Sequence, residues 1–196
     1  ITGVTKGVEL ASLSDIPKGF GLGGSSACIV GTLNALYSLR GTYKSAEELA
    51  KKACQVEIDV LKSPIGKQDQ YAVAYGGLNF IQFNTDDTVS VEPIICSKNI
   101  IRELDDNLLM FSTGVQREAS SVLSQQKKTT LAKAEFLHKM KDFAYEIKDA
   151  LNSNDLTNFG LLLHKNWEFK KKMAENISNP MIDAYYERAI KGGAVC

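Results

Sequence analysis

The chain has 196 residues, 44% hydrophobic and 23% charged, enough for one large domain or two small ones with a packed core. Lys and Arg (23) balance Asp and Glu (23), so no global field draws nucleic acid or an anionic membrane, and any anion must be recognised locally. No run approaches the ~18 consecutive apolar residues of a membrane span, and the scattered Cys28, Cys54, Cys96 and Cys196 form no CxxC pair; they read as reduced, buried thiols of a cytoplasmic protein.

Residues 1–13 read as a strand, with Val4, Val8, Leu10 and Leu13 among small and polar neighbours. Next comes Pro17-Lys18-Gly19-Phe20-Gly21-Leu22-Gly23-Gly24-Ser25-Ser26-Ala27, in which Gly19, Gly21, Gly23 and Gly24 crowd together. A helix follows over 25–39. Ile29, Leu33, Leu36 and Tyr37 recur in it at helical spacing, and Arg40-Gly41 closes it with a cation and a glycine. Ser45-Ala46-Glu47-Glu48 is a capping box opening a helix over 45–61, with Leu49, Ala53, Val56 and Val60 as its buried stripe. Ser63-Pro64-Ile65-Gly66 breaks it.

Residues 67–74 suit a short helix ended by Gly76-Gly77. Residues 78–83 and 88–95 form a hairpin around Asn84-Thr85-Asp86-Asp87, with Leu78, Phe80 and Phe83 facing inward. Leu108-Leu109-Met110-Phe111 reads as a buried strand. Beyond Gly114 the pattern is purely helical, over 118–151, 155–174 and from Asn179-Pro180 to Gly192. The division this predicts is a mixed α/β domain over 1–107 and a largely helical one over 108–196.

The glycine run suits two purposes. Glycines reach positive φ and let backbone approach a ligand closely. A helix starting at Ser25 or Ser26 aims its free N–H groups and positive dipole end back into the loop, which makes a phosphate cradle. A plain Gly-rich turn before a core helix fits the same composition. The pattern is neither a P-loop, since no Gly-Lys-Ser/Thr ends it, nor a dinucleotide fingerprint.

Three charged residues downstream are candidates for chemistry. Glu57 sits between Val56 and Ile58, where a carboxylate among apolar neighbours calls for a partner, although helix carboxylates are usually solvated. Asp69 lies in Gly66-Lys67-Gln68-Asp69-Gln70-Tyr71 and suits a helix cap as readily as a base. Arg117 follows Ser112-Thr113-Gly114-Val115-Gln116 and suits either an ion pair with Glu118 or an anion. Phosphoryl transfer needs a phosphate cradle, a metal ligand, a group acting on the acceptor hydroxyl and positive charge for the acceptor, and one candidate exists for each. His138 and His164 read as structural, Trp167 and Tyr185-Tyr186 as core, and Lys170-Lys171-Lys172 as a solvated face.

These residues resemble the GHMP small-molecule kinases, which phosphorylate galactose, homoserine, mevalonate and phosphomevalonate. The phosphate-loop motif of that family, Pro-x-x-x-Gly-Leu-Gly-Ser-Ser-Ala, is matched from Pro17 to Ser26, with Gly24 where many members have the first serine. The sequence is similar above all to the sugar-kinase branch of heptose 7-phosphate kinases and fucokinases. Gly66 to Tyr71, Gly76-Gly77-Leu78-Asn79, Thr113-Gly114 with Arg117 and Ala119, and Trp167 with Lys170-Lys171 carry that likeness.

The resemblance implies an α+β fold, with a ribosomal-protein-S5-like N-terminal part and a ferredoxin-like C-terminal part. It implies ATP as phosphoryl donor, Mg2+ as cofactor, and a sugar or sugar phosphate as acceptor at its anomeric hydroxyl. Gly19, Gly21, Leu22, Gly23, Gly24, Ser25 and Ser26 would hold the nucleotide, and Ser25 and Glu57 the metal. Asp69 would act on the acceptor hydroxyl with Lys67 beside it. Arg117, Thr113, Gly114, Lys170 and Lys171 would meet the substrate. The family's opening Arg-Pro-Arg strand and its third, glycine-rich motif are expected beyond the two ends, and incomplete sheet edges would invite pairing between chains. A non-catalytic sugar or nucleotide sensor on the same scaffold is the rival reading, as is a kinase for another small alcohol.

Overall fold

The computed structural model describes residues 1–15, 21–113, 134–173 and 177–196. Gly19, Gly114, Arg117 and the first half of the helix expected over 118–151 lie outside the described residues. Two compact units divide the chain, the first comprising Ile1–Pro93 and the second including the described residues from Ile94 onward.

In the first unit, α1 (Gly24–Leu39) buries Ser26, Val30, Leu33 and Tyr37. That spacing of i, i+4, i+7 and i+11 is one helical stripe. The stripe packs on α2 (Ala46–Cys54), where Leu49 and Ala53 complete an apolar cluster with Val30, Leu33 and Tyr37. Ser45 caps α2 as the sequence predicts, accepting from the Glu48 amide while Glu48 reaches back to the Ser45 amide. The Lys44 ammonium bonded to Glu48 and the amide of Ser45 hold that carboxyl down at about 2.

The helix does not stay α-helical to residue 61. Gln55–Val60 is a π turn, with the Leu61 amide donating to the carbonyl of Val56. Each residue of a π turn rotates the side chain by less than the ~100° of an α-helix. Glu57, four residues after Ala53 and eight after Leu49, continues the buried face of α2 and is 2% exposed, whereas the π turn carries Val60, expected in the stripe, out to 59%. A π turn inside an α-helix is often found at functional sites.

The third helix, α3 (Gln68–Tyr75), buries Gln70 and Tyr71. Gly76 and Gly77, both at positive φ, lead into β1 (Asn79–Phe83), which pairs antiparallel with β2 (Val89–Pro93) in the register Ile81↔Val91. The hairpin is as expected, but its packed face is not. Ile81, Val89 and Val91 lie on the cluster of Ala50, Cys54 and Tyr71, and Phe83 meets the Tyr71 ring edge-on, while Leu78 is 39% exposed. The side-chain period of two makes Ile81 and Phe83 one face and Phe80 the other. Burial, expected of all four cysteines, holds for Cys54, whose thiol it raises to about 11, whereas Cys28 on α1 and Cys196 are exposed. An aromatic disulfide reagent at pH 8 should accordingly label Cys28 in the folded protein and reach Cys54 only after denaturation, as peptide mapping would show.

Residues 1–13 do not form a strand: no described strand pairs with them, and Leu10 and Leu13 are exposed. Arg40 and Tyr37 tie this segment down through the carbonyls of Thr2 and Ile1. In the second unit, α4 (Lys98–Asn107), capped by Ser97, is a helix the sequence reading did not single out. Leu108 to Phe111, expected as a buried strand, are exposed and irregular. The expected helices are present as α5 (Ala134–Asn152), α6 (Leu156–Lys171, capped by Asp155) and α7 (Pro180–Lys191, capped by Asn179). Phe136 and Phe143 of α5 pack on Phe169 of α6, and His164 of α6 stacks on Tyr186 of α7. Among the described residues no helix is long and apolar enough to cross a membrane.

Candidate active site

Gly23, at φ 67° and ψ 19°, is the N-cap of α1, and no side chain caps the helix. The first intrahelical bond runs from the Ala27 amide to the Gly23 carbonyl at 2.9 Å, leaving the amides of Gly24, Ser25 and Ser26 without intrahelical acceptors. The first turn carries no acidic residue, so the partial positive charge of the helix end is not neutralised from within it. Gly21 is also at positive φ, 73°. Loop and helix start thus form an anion-binding geometry.

Left-handed backbone, not lack of room, explains Gly23: a Cβ there would sit in ordinary contact, 3.5 Å from Asp69. Gly24 is different, since its φ is not positive and a Cβ there meets nothing within 4 Å. Gly23→Ala should therefore destabilise the fold by about 1–2 kcal/mol. Gly24→Ala, at a helical position, should stabilise it by about 0.5–1 kcal/mol. Thermal unfolding of the two variants checks the opposite signs.

Beneath the helix start lies a polar group enclosed in the core. Ser25 Oγ donates to Glu57 Oε1 at 2.7 Å, and Ser26 Oγ to Glu57 Oε2 at 2.6 Å. Gln70 Nε2 donates to the same Oε2 at 2.5 Å. Ser26, Glu57 and Gln70 are all buried, whereas Ser25 is exposed. A buried carboxylate needs such donors in place of its lost hydration. The α1 stripe, the π turn and α3 thus converge on one carboxyl group directly below the open helix end.

Asp69 stands differently. It is exposed in the first turn of α3, with its carboxylate against Gly23, and makes no hydrogen bond to a described residue. The site therefore holds two carboxylates of opposite character, one enclosed and fully bonded, the other open. Lys67, expected beside Asp69, turns its ammonium to Asp87 at 3.0 Å, and that hydrogen bond raises its pKa. No group of three or more His, Cys, Asp or Glu side chains positioned to hold a metal occurs among the described residues. The Glu57 carboxylate and the Ser25 hydroxyl are hard oxygen donors, of the kind a magnesium ion shared with phosphates accepts.

Of the residues expected to meet the substrate, Thr113 is exposed at the end of its described stretch. Lys170 is exposed at the end of α6, and Lys171 pairs with Glu168 at 2.7 Å and lies over the Trp167 ring. Lys171 also lines a cleft of about 450 Å³ with His164, Glu168, Asp183, Tyr186 and Lys191, where acids and bases are mixed. Gln70 was not singled out by the sequence reading. Its signal is its place beside Asp69 and Tyr71 in a short helix, with a polar side chain adjoining a core aromatic.

Known proteins resemble the chain over most of its length. Residues 1–77 match the model of the GHMP kinases N terminal domain. The chain is 35% identical over 189 residues to D-glycero-alpha-D-manno-heptose 7-phosphate kinase of Campylobacter jejuni, covering 95% of this chain and 56% of that protein. It is 30% identical over 215 residues to galactokinase of Pyrococcus furiosus, covering 92% of this chain and 57% of that protein. A solved D-glycero-D-manno-heptose 1-phosphate kinase from Bacteroides thetaiotaomicron superposes with a TM-score of 0.68 at 32% identity, over 81% of this chain and 46% of that one. The chain spans about half the length of these relatives. The glycine loop, the open start of α1 and the Ser25–Glu57 pair all lie inside the stretch that matches the GHMP kinases N terminal domain, the family to which this chain is similar.

Proposed function

We propose that the protein transfers the γ-phosphoryl group of ATP to a hydroxyl of a sugar or sugar phosphate, the anomeric one in particular. The observation that carries this reading is the pairing of an enclosed carboxylate, Glu57 bonded by Ser25, Ser26 and Gln70, with an open one, Asp69, at one helix start whose own first turn holds no acid. The kinase relatives phosphorylate heptose phosphates and galactose by their names, which sets the acceptor class.

Residues 21–26 and the free amides of α1 hold the phosphate oxygens of the nucleotide. Ser25 Oγ and Glu57 would hold the magnesium ion, which when bound would neutralise the negative charge of the nucleotide phosphates. Asp69 takes the proton of the acceptor hydroxyl as the new oxygen–phosphorus bond forms and the bond to ADP breaks. Lys67, paired with Asp87 of the turn between β1 and β2, is a cation available to the transferred group once that exposed pair exchanges. Arg117, with Thr113, Gly114, Lys170 and Lys171, supplies the contacts to a substrate phosphate, for which a guanidinium fork is suited. Four unpaired thiols fit a reducing, cytoplasmic setting.

The test is a coupled ADP-release assay with the full-length protein on heptose 7-phosphate, fucose, galactose and mevalonate. Turnover with a sugar or sugar phosphate is expected. No turnover, together with a sugar-dependent thermal shift, would replace the kinase reading by a sensor.

A further inference from the structure

The two oxygens of Glu57 are not equivalent. Oε2 accepts from Ser26 and Gln70, which are 1% and 0% exposed, while Oε1 accepts only from Ser25, which is exposed. One oxygen is sealed into the core and the other is turned toward the open end of α1. We propose that Ser26 and Gln70 are positioning residues that clamp Oε2, so that Glu57 presents Oε1 alone to a divalent cation beside the Ser25 hydroxyl. The proposal rests on the reading of Glu57 as a metal ligand and goes beyond it in assigning the clamp.

The chemistry of the clamp follows from its donors. Gln70 must turn its amide nitrogen to Glu57, because the opposite orientation would place two acceptors face to face. Its own carbonyl oxygen, Oε1, is then buried without a partner among the described residues. An unpaired buried acceptor is a cost that packing alone does not explain, since an apolar side chain of that length would avoid it. The amide N–H is kept for the carboxylate at the expense of the carbonyl. Because Gln70 directly follows Asp69 on α3, the same bond ties the helix bearing the open carboxylate to the enclosed one. Groups that orient a metal ligand typically affect metal affinity through the ligand's rotamer rather than through contact with the ion.

Mn2+ replaces Mg2+ as a probe, its free electron paramagnetic resonance signal being titrated against the full-length protein at saturating ADP. Gln70→Met keeps the length and removes the donor. It should weaken Mn2+ binding by about 10–100-fold while ADP affinity measured in EDTA stays at the wild-type value. Ser26→Ala should shift Mn2+ binding in the same direction, and it carries the test alone if circular dichroism finds Gln70→Met unfolded. A general loosening of the fold would instead weaken metal-free ADP binding as well, and that result overturns the clamp. So does wild-type Mn2+ affinity in folded Gln70→Met, or in Ser26→Ala where that variant alone is folded. If Glu57→Gln abolishes Mn2+ binding in the same series, the metal-ligand reading survives that loss. If Glu57→Gln binds Mn2+ normally, the metal-ligand reading fails and the clamp with it.

Discussion

Asp69→Asn should lower kcat by about 10²–10⁴-fold, the usual contribution of a positioned general base, and leave nucleotide affinity and melting temperature unchanged. The expectation comes from its surroundings. Asp69 is exposed and bonded to no described residue, so the core loses nothing when its charge is removed. Its carboxylate nonetheless lies against Gly23 at the start of α1, where the phosphate groups would sit. An amide of the same shape keeps that contact and cannot take a proton. Steady-state kinetics with the best acceptor, alongside ADP binding by calorimetry, separates the two effects. Turnover at the wild-type rate would remove Asp69 from the mechanism.

The contrast between Asp69 and Glu57 also shows which parts of the site were legible in the sequence. The glycine run, the helix after it and the capping box are local signals, decided by backbone conformation and by bonds within four residues, and all three stand in the structure. The hairpin's existence was equally local, because Asn84 to Asp87 specify a turn. Its facing was not. Ile81 rather than Phe80 packs inward because Ala50, Cys54 and Tyr71 from two helices select that face.

Glu57 needed the same non-local information. A stripe of Leu49, Ala53, Val56 and Val60 leaves Glu57 at its margin, but the face that packs also takes in Ala50 and Cys54, which brings Glu57 inside it, while the π turn moves Val60 out. Gln70 was invisible for a related reason, since a buried glutamine is recognisable only once its acceptor is known. The exposed Leu108 to Phe111 show the limit from the other side: an apolar run states that burial is favourable, not which surface provides it.

Glu57→Ala is expected to fail on both stability and activity, which distinguishes it from Asp69→Asn. The carboxylate accepts from Ser25, Ser26 and Gln70, and removing it leaves the Ser26 hydroxyl and the Gln70 amide buried without an acceptor. Each such orphan costs about 1–3 kcal/mol, offset in part because a buried charge no longer has to be kept from water. For a chain of this size one kcal/mol corresponds to about 2–4 °C in melting temperature, so scanning calorimetry should find Glu57→Ala several degrees below wild type. Metal-dependent turnover should fall by two or more orders of magnitude, as electrostatic stabilisation at the transferred group is lost. Glu57→Gln separates the two consequences: it retains the shape and one carbonyl acceptor, so most of the stability should return while the activity does not. Recovery of turnover in Glu57→Gln would make Glu57 a structural carboxylate, whose work is only to hold α1 and α3 together.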